Sequence, residues 1–501
     1  MLALAGAIRV YLYFSMPLIS LDGAFQFIPL AELFAQGNLK AGLSHGQLPL
    51  YPILIALLSK TGLDFETSGR LVSLIFSLMT IFPLYFLGKK IFNAKIAFMG
   101  CMFFAIHPYF ARFSVDVLKD PLYVFLFISS IWLGWEALEE NKLYLFLIVG
   151  LLGGLTYLTR PDGLEIFLVM VGWILLYRLP QLRRDYVRRI WAILLLGTSI
   201  FLSAVPYIIY IHKTTGRWTI SRTKHISALF GSEDDMAQKY FGRATNLAGK
   251  TSHQATNGSF AALIYLLRKS QNIFHPILGL LFLLGWIVRK PFPYRKGEFY
   301  LLSFFILHAI VLYLFLLNYS LWNRGQLVAS HFSDRHFLPL VALSFSWMGV
   351  GFSIIYDKIA NWIEMRRPSP YSDIHEKVFV LLLIILFASV LPKTLKGVRS
   401  EKLGRRKAGL WIKGDMKSKP TIITSMPRVA YYAHGELIYV PGQSLPDLSK
   451  TVEEKGCDYL VFNEKNLKPL ENDFFNMIES QGWKRVYRVD GCEKILIYKR
   501  D

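Results

Sequence analysis

Two uncharged stretches decide the fold: LVSLIFSLMTIFPLYFLG at 71–88 and VFVLLLIILFASVL at 378–391. A helix rises about 1.5 Å per residue, so crossing a hydrocarbon core of about 30 Å takes roughly 18–20 apolar residues. The first stretch is long enough as it stands, and the second becomes so with its flanks. Comparable runs lie near 1–19, 94–111, 121–137, 143–159, 163–178, 190–211, 273–288, 299–317 and 337–356. With the two quoted stretches, extended to 69–88 and 377–393, the count is about eleven. The chain is therefore expected to be a polytopic α-helical membrane protein. Composition agrees: 53% of the 501 residues are hydrophobic and 18% are charged, where soluble domains hold ~45–50% and ~25%.

A net charge of +21 raises the question of nucleic acid. The lysines and arginines gather instead in short loops and in the C-terminal tail, and no basic face with interleaved aromatics is present. Nucleic-acid binding is excluded on that pattern, because loop charge of this kind orients membrane proteins. The loops carrying Lys89–Lys90, RLPQLRRDYVRR (178–189), RKPFPYRK (289–296) and Arg366–Arg367 are short and basic, which assigns them to the cytoplasm. The Glu139–Glu140 loop is the weak member of that set. The alternate set then faces outward: residues 20–68, 112–120, 160–162, the long segment 213–272, and 318–336. An odd number of spans puts the N-terminus inside and the tail outside the cytoplasmic (inner) membrane. The first stretch lacks a basic n-region and a small-residue cleavage site, so it reads as a span that also serves as the targeting signal.

After residue 393 the pattern changes. TIITS (421–425), LIYV (437–440), DYLVF (458–462), WKRVYRV (483–489) and KILIYK (494–499) read as strands between turn residues, with helices expected at 445–455 and 469–481. Residues 394–501 are thus expected to form a small extracytoplasmic α/β domain, following a membrane domain at 1–393. Three cysteines are too few for a disulfide scaffold. Cys101 lies in an apolar run. Cys457 and Cys492 fall in a compartment that oxidises thiols, where a bridge and two free buried thiols are the alternatives.

Polar chemistry concentrates in the outward set. Asp22 follows the first span in LISLDGAFQFIPLAELFAQG, ahead of an amphipathic pattern at 24–36 that suits a helix lying on the membrane surface. A second such helix is expected at 50–59, after Pro49. A partly desolvated acid there has the raised pKa that base catalysis uses; the alternative is that Asp22 N-caps the helix. In ARFSVDVLKDPLYVF (111–125), Asp120 precedes Pro121 and suits an N-cap, with Asp116 one turn away. In LTRPDG (158–163), Arg160 either grips phosphate through its planar fork or snorkels to the interface. HFSDRHFLP (331–339) ends another loop with two His, an Asp and an Arg. A metal held by His331, Asp334 and His336 matches no closed-site spacing. No acid or Lys is read deep within a span, which favours an enzyme at the membrane surface over an ion-coupled transporter.

These runs together resemble a known family. The early Asp, GQLPLYPILIALL (46–58), GRLVS (69–73), HPYFARFSVDVLKDPLY (107–123), GGLTYLTRPDG (153–163) and SDRHFLPL (333–340) are similar in kind and order to the family-39 glycosyltransferases. That family includes dolichyl-phosphate-mannose protein mannosyltransferases and aminoarabinose transferases of the GT-C membrane fold. In the tail, GLWIK, SMPRVAYYAHG and GCDYLVF resemble uncharacterised bacterial relatives.

The resemblance implies a polyprenyl-phosphate-linked sugar donor and inverting transfer to an envelope glycolipid, glycan or protein acceptor. It puts the family's first acid on Asp22 and its second on Asp120, and the Arg before the tenth span on Arg335. Gly23 stands where many relatives have a second acid, and His336 where they often have Tyr. In such a reaction Asp22 is the expected base, and Asp120, the second catalytic candidate, would position the acceptor or the cations. Arg335 and Arg160 would hold the donor phosphate, with Lys119 or Arg112 assisting; Asp116, His45 and His336 complete the candidates. No cofactor is required, and a divalent metal is not part of the scheme. The competing readings are a lipid-linked sugar flippase or transporter, which needs polar residues through the spans, and a non-catalytic scaffold for the tail domain.

Overall fold

The computed structural model describes residues 1–177, 182–216, 218–221, 258–288, 296–322, 333–366, 373–397, 399–416, 418–440, 456–464, 478 and 480–500. They form two compact units. One comprises the described residues of Met1–Tyr13, Ala31–Gly231 and Gln254–Lys396, the other those of Phe14–Leu30 and Gly397–Asp501. The tail enters the smaller unit from Gly397. It is joined in its unit by the start of the first loop, which the sequence had placed with the membrane domain.

The larger unit is helical. Every run expected to span is a helix: Leu2–Ser15, Phe65–Met79 continuing as Ile81–Ile91, Ala94–Ile106, Asp120–Glu140, Leu143–Tyr157, Glu165–Leu176, Leu182–Thr215, Pro276–Ile287, Lys296–Trp322, Leu338–Arg366 and Asp373–Leu395. Among the described residues, six helices are long and apolar enough to cross a bilayer alone, or seven if a bent pair counts as one span. The chain is a multi-pass membrane protein, though length alone does not give eleven crossings. The segment 213–272 contains a helix, Gly258–Phe274, that meets Pro276–Ile287, and the described part of the two makes an angle of 107°. The corner is His275, whose φ of 62° leaves the helical region just before Pro276.

Local chemistry sets the ends. Asp64 accepts from Thr67 N to start Phe65–Met79, and Asn93 accepts from Ile96 N to start Ala94–Ile106. Lys89 and Lys90 close the last turn of Ile81–Ile91, where they complement the helix dipole. Small residues bring backbones together in the membrane layer. A Cβ at Gly285 would sit on the Trp347 carbonyl oxygen, and one at Gly351 on that of Leu281.

Arginines are buried within helices expected to span, Arg9 and Arg70 among them. Arg9 is fully buried in Leu2–Ser15, with Nε donating to Ser77 Oγ at 3.1 Å and Nη1 to the carbonyls of Ala5 and Ala105, each at 3.2 Å. Its guanidinium lies 5.3 Å from the centre of the Phe104 ring.

In the smaller unit, β1 (Thr421–Thr424), β2 (Glu436–Tyr439), β3 (Tyr459–Asn463), β4 (Trp483–Val489) and β5 (Ile495–Arg500) form one sheet in the order β2-β1-β3-β5-β4. β1 pairs in parallel with β2 and β3, and β5 runs antiparallel to β3 and β4. The strand period of two sorts the core. Ile422, Tyr459, Val461, Ile495 and Ile497 pack on Ala408, Ile412 and Val429 of helices Leu403–Asp415 and Pro427–Tyr432. Ile423, Leu460, Phe462, Leu496 and Tyr498 face the other side with Trp483. All five strands were legible in the sequence; the helices expected at 445–455 and 469–481 lie largely outside the described residues. Cys101, Cys457 and Cys492 are free, buried, half-buried and exposed in that order.

Candidate functional site

In the larger unit, three turns at helix ends bring charged groups together. LTRPDG folds back on the end of Leu143–Tyr157 as the 3-10 turn Pro161–Leu164. Gly163 is required there, since a Cβ would come within 2.5 Å of Tyr157 N. SDRHF forms the turn Asp334–Phe337, started by Ser333, which accepts from Arg335 N. Asp120 is the first residue of helix Asp120–Glu140, with Lys119 at the cap position and no side-chain cap bond. The expected N-cap role of Asp120 is therefore replaced by ion pairing.

Arg160 is the hub. Nε donates to Asp162 Oδ1 at 3.2 Å and Nη2 to Asp162 Oδ2 at 2.7 Å. Nη1 donates to Asp120 Oδ1 and to the Arg335 carbonyl, both at 3.1 Å. Nη2 also meets His336 Nδ1 at 3.2 Å, and the guanidinium lies 4.6 Å from the centre of the Tyr123 ring. A guanidinium has five N–H donors, and all five are spent here. Burial works against the charge of Arg160, but Asp162 and Asp120 outweigh it and raise its pKa. Neither reading from the sequence holds: Arg160 does not snorkel, and it has no donor left for a phosphate.

Arg335 differs. Its side chain keeps 25% exposure, against 6% for Arg160, and its Nη1 lies 3.7 Å from Asp120 Oδ2. Nε donates to Ser333 Oγ at 3.2 Å. Asp120, 3% exposed, thus stands between two guanidiniums. Lys119 Nζ donates to Gln47 Oε1 at 3.1 Å. Nearby, Tyr51 Oη meets Gly69 O at 3.0 Å and Ser73 Oγ at 2.9 Å, and Ser73 Oγ donates to Leu118 O at 2.9 Å. Three of the runs that carry the family resemblance are tied together at that point.

Other candidates are placed elsewhere. Arg112 donates through Nη2 to the carbonyl of Lys393, so it holds the end of the last span rather than joining Arg160. Asp116 is buried and accepts from Val117 N at 2.8 Å. His45 is the C-cap of the short helix Leu39–Ser44. Asp334 pairs with Lys269 at 2.6 Å while His336 is engaged by Arg160, so these two do not converge on a metal; His331 lies outside the described residues. Among the described residues no group of three or more His, Cys, Asp or Glu is arranged to hold a metal ion.

One pair escaped the sequence reading. Glu165 and His308 are buried together, with His308 Nδ1 2.9 Å from a Glu165 carboxylate oxygen and Nε2 2.9 Å from the His336 carbonyl. Both neighbours of the imidazole accept hydrogen bonds, so the pair holds a proton: His308 is an imidazolium beside a carboxylate, or Glu165 carries it. Glu165 is a buried acid at the start of Glu165–Leu176, at the end of that span and not deep within it. Glu165 follows LTRPDG by two residues, but a lone Glu at a helix start gives no sign of a partner 143 residues away.

Asp22 belongs to the smaller unit. It precedes the five-residue π-helix Gly23–Phe27 in the αR conformation and makes no side-chain cap bond. Ser20 Oγ accepts from Gly23 N at 2.9 Å instead. The capping reading of Asp22 is thus taken over by Ser20. Helices stand at the stretches 24–36 and 50–59, as Gly23–Phe27 with Ile28–Ala35 and as Leu50–Ser59.

Residues 44–210 match the family model described as dolichyl-phosphate-mannose-protein mannosyltransferase. A search of curated proteins gives no match. Among solved structures, ArnT from Cupriavidus metallidurans bound to undecaprenyl phosphate aligns with a TM-score of 0.63 at 13% identity, covering 99% of this chain and 96% of that one. Its apo form aligns at 0.62, also with 13% identity, over 99% and 97%. An oligosaccharyltransferase from Archaeoglobus fulgidus, in complex with Zn and sulfate, aligns at 0.50 and 12% identity over 100% of this chain and 73% of that one. The fold is GT-C, with a small C-terminal sheet domain.

Proposed function

We propose, for a chain that is a family-39-like protein of the GT-C fold, that it is a membrane glycosyltransferase using a polyprenyl-phosphate-linked sugar. The observation that carries the reading is the half-open cation Arg335, held against buried Asp120 by a turn whose carbonyl is fixed by Arg160. A partly exposed guanidinium on a rigid frame is suited to an incoming phosphate, because its planar fork matches phosphate oxygens. The ArnT structure with undecaprenyl phosphate supports the same class of donor.

In the reaction, an acceptor hydroxyl attacks the anomeric carbon with inversion. The bond from that carbon to the phosphate oxygen breaks, and polyprenyl phosphate leaves with the electron pair. The leaving group is an anion of low basicity and needs no strong acid. The hydroxyl proton needs a base, and Asp22 takes that role on its chemistry and its position in the sequence. Arg335 stabilises the charge on the departing phosphate. Arg160 is a positioning residue, and Asp120 sets the orientation of Arg335. We place the reaction on the outer side of the cytoplasmic membrane, with the N-terminus inside. A flippase or transporter would call on the buried Glu165–His308 pair, but both groups are engaged with each other and with the His336 carbonyl.

The test is transfer by purified protein from undecaprenyl-phosphate-linked sugars, alongside mass spectrometry of envelope glycolipids and glycoproteins with and without the gene. Loss of one sugar modification without the gene is expected. Unchanged glycolipids and glycoproteins, with no transfer in vitro, would sink the proposal.

A further inference from the structure

In the smaller unit, the stretch leading to Asp22 is not held by its own secondary structure. Residues 16–20 lie between helix Leu2–Ser15 and the π-helix Gly23–Phe27, so their backbone groups need partners from elsewhere. The tail supplies them in sequence. Arg406 Nη1 donates to the Pro17 carbonyl at 2.9 Å, Arg399 Nη1 to the Leu18 carbonyl at 3.1 Å, and Arg428 Nε to the Ile19 carbonyl at 2.8 Å. Tyr432 Oη accepts from Ile19 N at 3.3 Å. Three consecutive carbonyls are each gripped by a different arginine, and the last of these residues is also held through its N–H.

The grip is buried and anchored. Leu18 and Ile19 are fully buried, and Arg428 is 5% exposed. Arg428 and Tyr432 sit on Pro427–Tyr432, whose Val429 and Ala430 are part of the sheet domain's core. Arg406 stands on Leu403–Asp415, which contributes Ala408 and Ile412 to that core, and its guanidinium lies 5.4 Å from the Tyr432 ring centre. Beyond Asp22, Phe25 packs on Tyr439 of β2 with ring centres 5.4 Å apart. The segment is therefore fixed on both sides of Asp22 by the same small domain.

We infer that the C-terminal domain is a clamp that sets the position of Asp22, with Arg399, Arg406, Arg428 and Tyr432 as positioning residues. The inference rests on the reading of Asp22 as the base. Misplacing a reacting group by about 1 Å costs on the order of 10²-fold. The clamp thus acts on turnover more than on donor binding.

The experiment uses the full-length purified protein. Hydrogen exchange at amides 18–27 is compared in wild type, Arg428→Ala, Arg406→Ala, Arg399→Ala and Tyr432→Phe, with kcat and donor KM measured for each. Exchange in 18–27 is expected to speed up by about tenfold or more while amides of β1, β3 and β5 stay protected. The expected kcat falls by about 10–100-fold in the arginine variants, with donor KM unchanged. Arg428→Lys, which keeps one donor for the Ile19 carbonyl, should recover part of the loss. Unchanged exchange in 18–27, or faster exchange with normal kcat, would overturn the clamp. If an alanine variant loses protection across the sheet, Tyr432→Phe and Arg428→Lys decide by the same two readouts. Full turnover in Asp22→Asn would instead remove the base assignment, and the exchange result would still decide whether the tail immobilises the segment.

Discussion

Arg160 grips Asp162 with two parallel N–H···O bonds, at 3.2 and 2.7 Å, across the single residue Pro161. That fork, with the bonds to Asp120, Arg335 and His336, makes Arg160 the frame of the site rather than a ligand. Arg160→Lys keeps the charge but offers three donors in place of five and no planar fork. Both Arg160→Lys and Arg160→Ala should destabilise strongly, by about 3–5 kcal/mol for the full removal of a buried partner. Thermal unfolding in detergent checks this; a lysine variant as stable as wild type would contradict the framing role.

Arg335 should behave oppositely. Its side chain is partly exposed, so Arg335→Ala is expected to leave the melting temperature nearly unchanged and raise donor KM by about 10–100-fold, the loss of one charge-assisted contact. Arg335→Lys should restore only part of that affinity. An unaltered KM in Arg335→Ala would remove phosphate binding from Arg335.

Asp22→Asn separates catalysis from structure because Asn keeps the size and an accepting oxygen of Asp, and caps a helix equally well, while it cannot take the acceptor proton. The melting temperature should hold, while turnover falls by about 10²–10⁴-fold if the carboxylate is the base. Asp22→Glu should give partial activity at best. Normal turnover at normal stability would end the base assignment.

Glu165 and His308 form a pair whose members fail singly. Glu165→Leu strands the imidazole, and His308→Phe strands the carboxylate, each at a cost of about 3–5 kcal/mol. The double variant should be more stable than either single one, since no lone buried charge is left. Additive losses in a double-mutant cycle would show that the two groups act independently.

The native cysteines test topology without new mutations. Cys492 is exposed, so an impermeant maleimide should label it in intact cells if the tail is outside. Cys457 should stay silent at neutral pH: burial, with Asp458 adding, pushes its thiol up to about 12, and only the thiolate reacts. Its labelling should rise as pH rises towards that value. Silence of Cys492 in intact cells with labelling after lysis would put the tail in the cytoplasm.

Apolar runs made the helices legible, because a bilayer imposes one length on every crossing. The alternating tail strands were legible for the same kind of reason, through the period of two. What escaped was set by partners far off in sequence. Gly258–Phe274 was not picked out as a helix because its mixed composition lacks a continuous apolar run. Arg160 looked like a phosphate ligand because sequence shows a guanidinium's donors and not that Asp162, Asp120, Arg335 and His336 exhaust them. Ser20 took the helix start from Asp22 at a spacing of three residues, a choice that side-chain rotamers make and residue types do not.

Arg9 bears on how the protein is made. A guanidinium near the middle of a helix costs about 2.5–3.5 kcal/mol on membrane insertion, and Leu2–Ser15 carries only about two turns on either side of it. Its partners Ser77 and Ala105 arrive 68 and 96 residues later in the chain. Until both have emerged from the ribosome and entered the bilayer, the first helix has no internal acceptor beyond its own turn. Its final seating is thus an event of assembly, delayed until the helices around Ser77 and Ala105 close over it. A leucine at position 9 would let the first helix settle early and alone, uncoupling its insertion from the helices it is built to wait for.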